Sequence, residues 1–146
     1  MAAVDIGRPL VLLGVLVSLA GCQGENPVRP QATIDVSGTW DARFEGTVQG
    51  RGASQIDRFV IELQQSGSSV TGALRFTGLD VTIPVSGEVK GTTTLIYTAR
   101  ATLAPGCEGV VRAQATLDRA ATTFGGSQTQ STCEGTAVGQ VSGTRR

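Results

Sequence analysis

The chain has 146 residues, with 12 basic and 12 acidic side chains and no histidine, so its formal net charge is zero. Neutrality argues against nucleic acid as a partner, since phosphate recognition needs clustered cations, and against electrostatic docking on anionic lipid. The missing imidazole excludes Ser–His and Cys–His nucleophile pairs, the commonest Zn and Cu ligand, and the side chain best suited to proton transfer near neutral pH.

Residues 1–21 divide into three parts. Met1–Arg8 is a short head whose positive charges, Arg8 and the free amine, are opposed by Asp5. Leu10–Ala20 is apolar apart from Ser18, and the small residues Ala20 and Gly21 precede Cys22. This is the layout of a secretory signal peptide, and the apolar run is well short of the roughly 20 residues a bilayer-spanning helix needs. The alternative, an N-terminal helix of the mature fold, lacks an amphipathic period. The tetrapeptide Leu19-Ala20-Gly21-Cys22 resembles the lipobox of bacterial lipoproteins. That resemblance implies cleavage before Cys22, lipid on its sulfur and on its new amine, and anchoring to a membrane of the bacterial cell envelope, facing the periplasm or the outside. Three acyl chains exceed the two signals that stable anchoring requires.

Cleavage removes Asp5 and Arg8 together, so the mature chain stays neutral. With Cys22 taken by lipid, Cys107 and Cys133 remain in a compartment that permits disulfides. Bonding between them is expected, with a free thiol pair as the alternative. Residues 22–33 hold Pro27, Pro30 and Gly24 among polar residues and read as a flexible tether, leaving 34–146 as a single β domain.

From Ile34 onward the period is two, with runs separated by Gly, Ser, Asp and Pro. Gly38–Thr47 places Trp40, Ala42 and Phe44 on one face, and a long Gly-rich loop, Val48–Ile56, follows. Asp57–Gln65 carries Phe59, Ile61 and Leu63, and a tight turn leads to Val70–Thr77 with Val70, Leu74 and Phe76. Val81–Val89 carries Val81, Ile83, Val85 and Val89 inward, and Thr92–Leu103 carries Leu95, Tyr97, Ala99, Ala101 and Leu103. Gly109–Asp118 follows, and Thr122–Cys133 and Gly135–Thr144 are less regular. Eight sequential strands, each apolar on one face, predict an all-β, eight-stranded antiparallel up-and-down β-barrel. A two-sheet sandwich is the alternative. Pro84 cannot donate to a ladder, so it predicts a bulge or an opened seam in the fourth strand.

Gly38-Thr39-Trp40, opening the first strand, resembles the Gly-x-Trp signature of lipocalins and avidin-like barrels, and Val70-Thr71-Gly72-Ala73-Leu74 resembles the third strand of the avidin-like group. The resemblance implies that Gly38 and Trp40 close one end of the barrel, with Arg145 or Arg146 from the last strand lying over the Trp ring. It does not extend to biotin, whose sites need several Trp, because Trp40 is the only one here. The chain is also similar to small periplasmic metalloprotease inhibitors, eight-stranded barrels whose N-terminal segment enters the protease cleft.

No calcium loop, phosphate loop or metal-ligand cluster is recognisable, and Asp41, Arg43 and Glu45 read as a solvated barrel exterior. The expected function is therefore non-enzymatic, without cofactor or metal. It is the binding of a small apolar ligand inside the barrel, lined by Phe44, Phe59, Leu63, Leu74, Phe76 and Tyr97. The alternative is a protein-binding module, such as a periplasmic protease inhibitor, or a structural envelope lipoprotein with a filled barrel.

Overall fold

Alternation of apolar and polar residues forces each strand to bury one face, and the chain does so by closing on itself. The computed structural model describes residues 34–146; the signal peptide, the lipidated Cys22 and the tether expected over 1–33 lie outside the described residues. The strands are β1 (Gly38–Val48), β2 (Ser54–Ser66), β3 (Ser69–Phe76), β4 (Thr82–Lys90), β5 (Thr94–Ala104), β6 (Cys107–Leu117), β7 (Thr123–Thr132) and β8 (Gly135–Arg145). Each pairs antiparallel with the next and β8 pairs with β1, giving the closed eight-stranded up-and-down barrel that the sequence predicts.

Closure needs the strands to bend sharply, and glycine supplies the bends. A Cβ at Gly72 would collide with the carbonyl oxygen of Glu62 on β2, and one at Gly139 with that of Glu45 on β1. At both places neighbouring backbones approach as only glycine permits. Inside, Trp40, Phe44, Phe59 and Tyr97 are wholly buried in one continuous apolar cluster that runs through all eight strands.

Several expectations need correction, and most concern one end of the barrel. The loop expected over Val48–Ile56 shrinks to residues 49–53, because the β1–β2 ladder continues through Glu45↔Ile56 to Thr47↔Ser54. Two glycines with positive φ, Gly50 and Gly52, make the turn tight. Val81 and Leu103, expected inside, are 46% and 51% exposed. Val81 precedes β4, and Leu103 sits at the register shift between Thr102 and Ala104, where β5 turns outward.

Pro84 makes no bulge: β4 stays in register with β3 through Ala73↔Pro84. The seam beside it is open instead. The β4–β5 ladder ends at Val85↔Ala99, so Thr82–Pro84 pair only with β3, and Arg100–Ala104 only with β6. A residue without an N–H thus stands where the ladder stops.

Candidate functional site

The two ends of the barrel differ in chemistry. At the first end, the segment Ile34–Ser37 folds across the opening as a plug, with Ile34 and Val36 buried. Gln65 clamps it: its Oε1 accepts from the Val36 N–H at 2.8 Å and its Nε2 donates to the Ile34 carbonyl at 3.1 Å. The Trp40 indole N–H donates to the Val36 carbonyl at 2.9 Å, which satisfies the one polar atom of a fully buried ring. Phe124 packs tilted against that ring at 5.3 Å between centroids.

Arg145 covers Trp40 from outside, with its Cζ 4.9 Å from the ring centroid. Its Nη2 donates to the carbonyls of Asp35 at 2.6 Å and Ser37 at 2.8 Å. One side chain therefore caps the aromatic ring and ties the plug to β8. Gly38 makes room for it: φ is +132°, and an added Cβ would lie 3.6 Å from Arg145 Nε. Arg146 does something else, pairing with both oxygens of the Asp41 carboxylate at 2.7 and 2.9 Å on the outer surface, where Arg43 also pairs with Glu45. Hydrogen bonds from Ser37, side chain first and backbone second, hold the Asp35 carboxyl below the usual carboxylate range despite some desolvation.

The opposite end is a polar mouth. Gln55 and Asp57, two residues apart on β2 and in phase with Phe59, point inward and are half-buried. Gln128 and Gln130 point inward from β7 and are 1% and 8% exposed. Gln55 Nε2 donates to Asp57 Oδ2 at 2.7 Å and reaches across the barrel to Gln130 Oε1 at 2.9 Å. Tyr97 donates its hydroxyl to Gln128 Oε1 at 2.8 Å. Burial pushes the Tyr97 phenol well above its ordinary value, so it stays a proton donor.

The Nε2 atoms of Gln128 and Gln130 are buried and have no partner in the barrel. Each such donor costs about 1–3 kcal/mol if left unmet. Their cross-strand neighbours are small, Ala113 and Gly139 beside Gln128, Val111 and Ala137 beside Gln130. A depression of about 130 Å³ opens at this mouth between Gln55, Gln130, Val48 and Ala137.

The rim of the mouth is apolar on its outer side. Ile56, Leu79, Val81, Leu103 and Val138 are 42–61% exposed, and all five belong to the half of the barrel away from Trp40. Val81 and Leu103 flank the open β4–β5 seam. The Cys107–Cys133 disulfide staples the same rim, joining the start of β6 to the β7–β8 turn with 5.3 Å between Cα atoms. It lies just past Val110↔Ser131, where the β6–β7 ladder ends.

The six residues expected to line a ligand cavity do not share one opening. Phe44, Phe59, Leu63, Leu74 and Tyr97 are fully buried core residues. Phe76 is partly buried at the mouth, tilted against Phe59 at 5.5 Å. Leu63 pairs with Gly38 at the closed end, far from the mouth. Gln55, Asp57, Gln128 and Gln130 are absent from the expected lining because polar residues in a strand ordinarily face outward. Phase alone would have found them: 55 and 57 continue the inward series 59, 61 and 63, and 128 and 130 continue the series begun by Phe124.

Barrel closure, a plugged end and a polar mouth place the chain structurally among closed eight-stranded barrels. No family model matches it, and no curated protein does. Among solved structures, a redesigned β-barrel, b11L5F_LGL, matches at TM-score 0.52 and 19% identity, over 76% of this chain and 91% of that one. This likeness shows the fold alone. A second redesigned barrel, mFAP1, bound to DFHBI, gives TM-score 0.47 at 19% identity over 76% and 94%. A protein of unknown function from the DUF3598 family of Nostoc punctiforme gives 0.46 at 11% identity, over 80% of this chain and 51% of that one.

Proposed function

We propose that this chain is a lipid-anchored, non-catalytic barrel of the bacterial cell envelope that holds a small, largely apolar ligand at its open end. The observation that carries the reading is the asymmetry of the two ends. One is sealed by Ile34–Ser37, Trp40 and Arg145. The other combines buried unmet donors with a rim of exposed apolar side chains and an open seam.

The likeness of Leu19-Ala20-Gly21-Cys22 to a lipobox supports the anchor and the envelope location, facing the periplasm or the outside. The described chain enters at the closed end, so the mouth lies at the far end from the point where the chain leads back toward Cys22. Exposed apolar patches on a monomer mark interaction sites, and the rim favours a second reading, in which the mouth docks an envelope protein.

Metabolic labelling with a palmitate analogue tests the anchor: wild type takes up label and Cys22→Ser does not. Native mass spectrometry after exposure to mixed envelope lipids tests the ligand. A bound mass lost in a Leu103→Asp rim variant supports the reading. A bare barrel that instead crosslinks to a protein through the rim favours docking.

A further inference from the structure

We infer that the mouth recognises the carbonyl oxygen of a neutral ligand, an amide, lactam, lactone or ester, through the free Nε2 groups of Gln130 and Gln128. This rests on the ligand-binding reading above and names the head group that such a ligand carries.

The orientation of Gln130 is fixed by its neighbours. An Asp57 carboxylate only accepts hydrogen bonds, so Gln55 must turn its Nε2 toward it. The same Nε2 then reaches Gln130, which must answer with its Oε1. Turning either amide over would set donor against donor or oxygen against carboxylate. Gln130 is left presenting its –NH₂ to the barrel interior with no acceptor among the described residues. The Gln128 –NH₂, two residues deeper on the same face, is unmet as well, with Tyr97 occupying its oxygen. Together they form a row of donors on the inner face of β7, flanked on the neighbouring strands by Ala137, Ala113 and Gly139, with Gln130 and Ala137 bordering the depression at the mouth.

Charge selects the kind of acceptor. Asp57 is the ionisable side chain facing into the mouth, and it disfavours a carboxylate or phosphate placed beside Gln130. Arg51 and Glu134 border the depression. They are exposed, opposite in sign and linked through the Glu134 carbonyl at 3.5 Å, so they set no net preference. A neutral carbonyl satisfies the donors without meeting the Asp57 charge. Val48 and Phe76 then offer apolar surface for the rest of the molecule.

Three probes of one chain length separate the cases: hexanamide, hexanoate and hexylammonium, titrated into ¹⁵N-labelled protein purified from membranes in detergent. The side-chain –NH₂ signals of Gln128 and Gln130 are the readout. Hexanamide is expected to shift both signals and to half-saturate at a concentration at least ten-fold below that of hexanoate. Gln130→Leu removes the unmet –NH₂ together with the acceptor of Gln55 and, with an unchanged amide spectrum elsewhere as the check on folding, should erase that preference. Asp57→Asn should narrow it by improving hexanoate. Equal binding of hexanamide and hexanoate, with the Gln signals unmoved, overturns the head-group inference and leaves ligand binding standing. Failure of all three probes to bind, with both –NH₂ groups exchanging only with water, overturns both.

Discussion

Arg145, the penultimate residue, is paired with Trp40 across the β1–β8 seam and places its guanidinium carbon 4.9 Å from the centre of the indole ring. The last strand therefore locks the first at the residue that fills the closed end. The same guanidinium holds two carbonyls of the plug, so seam, ring and plug form one unit.

Trp40→Ala is expected to cost about 3–5 kcal/mol through the cavity it leaves. Arg145→Ala should cost about 1–2 kcal/mol from the lost ring contact, and more through the freed plug. Arg145→Lys should recover little, because an ammonium lacks the planar fork that spans ring and carbonyls. Urea denaturation of both single variants and the double variant should give a coupling of at least about 0.5 kcal/mol. Strictly additive losses would show that the plug and ring are held independently.

The disulfide acts where hydrogen bonding has run out. The β6–β7 ladder ends at Val110↔Ser131, and Cys107–Cys133 closes the rim beyond it. A Cys107→Ser, Cys133→Ser double variant should lose about 3 kcal/mol, the value for a loop of this size, and melt on the order of 10 °C lower. Hydrogen exchange should rise first at Val110 and Ser131 and leave the Trp40 end protected. Uniform loss of protection would mean that the staple stabilises the barrel as a whole.

Acid sensitivity should centre on the β6–β7 turn at the closed end. Asp118 accepts from the backbone N–H groups of Thr122 at 2.7 Å and Thr123 at 2.9 Å, and from the Thr122 hydroxyl at 2.6 Å. The Thr122 side chain first, then the Thr123 backbone, hold its carboxyl below the ordinary 3.8. Arg146 lowers Asp41 in the same direction. The unfolded chain binds these protons more readily, so the stabilisation is complete above the unfolded value and fades as pH falls through the folded one. Melting temperature should therefore decline below about pH 4, and Asp118→Ala should flatten that decline. An unchanged acid limb in the variant would remove Asp118 from the account.

Much of the barrel is legible in the sequence because one face of each strand is unambiguously apolar. Trp40, Phe44, Ile61, Leu74 and Leu95 all fall inside where period two puts them. The reading weakens at the mouth, where inward positions are polar. Ser54–Ile56 looks like a loop because Gln55 breaks the apolar alternation, although it keeps the phase of the strand that follows. Gln128 and Gln130 made β7 look irregular for the same reason. The open seam at Pro84 was half legible: a missing N–H announces a broken ladder, but not on which side. The plug is not legible, since it is held by Gln65, 29 positions from Val36, and by Arg145, 110 and 108 positions from the Asp35 and Ser37 carbonyls it binds.

The Tyr97–Gln128 pair offers a test of the buried polar row that needs no ligand. The hydroxyl and the amide oxygen satisfy each other at 2.8 Å in a fully buried setting. Tyr97→Phe removes the donor and leaves the Gln128 amide unmet at both ends, which should cost about 1–3 kcal/mol. Gln128→Leu strands the hydroxyl but removes an amide whose –NH₂ was already unpartnered, so its cost should be smaller. The double variant replaces both polar groups by apolar ones of similar shape and should be as stable as wild type or more so, since a buried pair with an unmet donor is worse than apolar packing. Equilibrium unfolding of the four proteins reads this directly. A Tyr97→Phe variant as stable as wild type would mean that the Gln128 amide finds other partners at once, and the rigid row of donors lining the mouth would no longer stand.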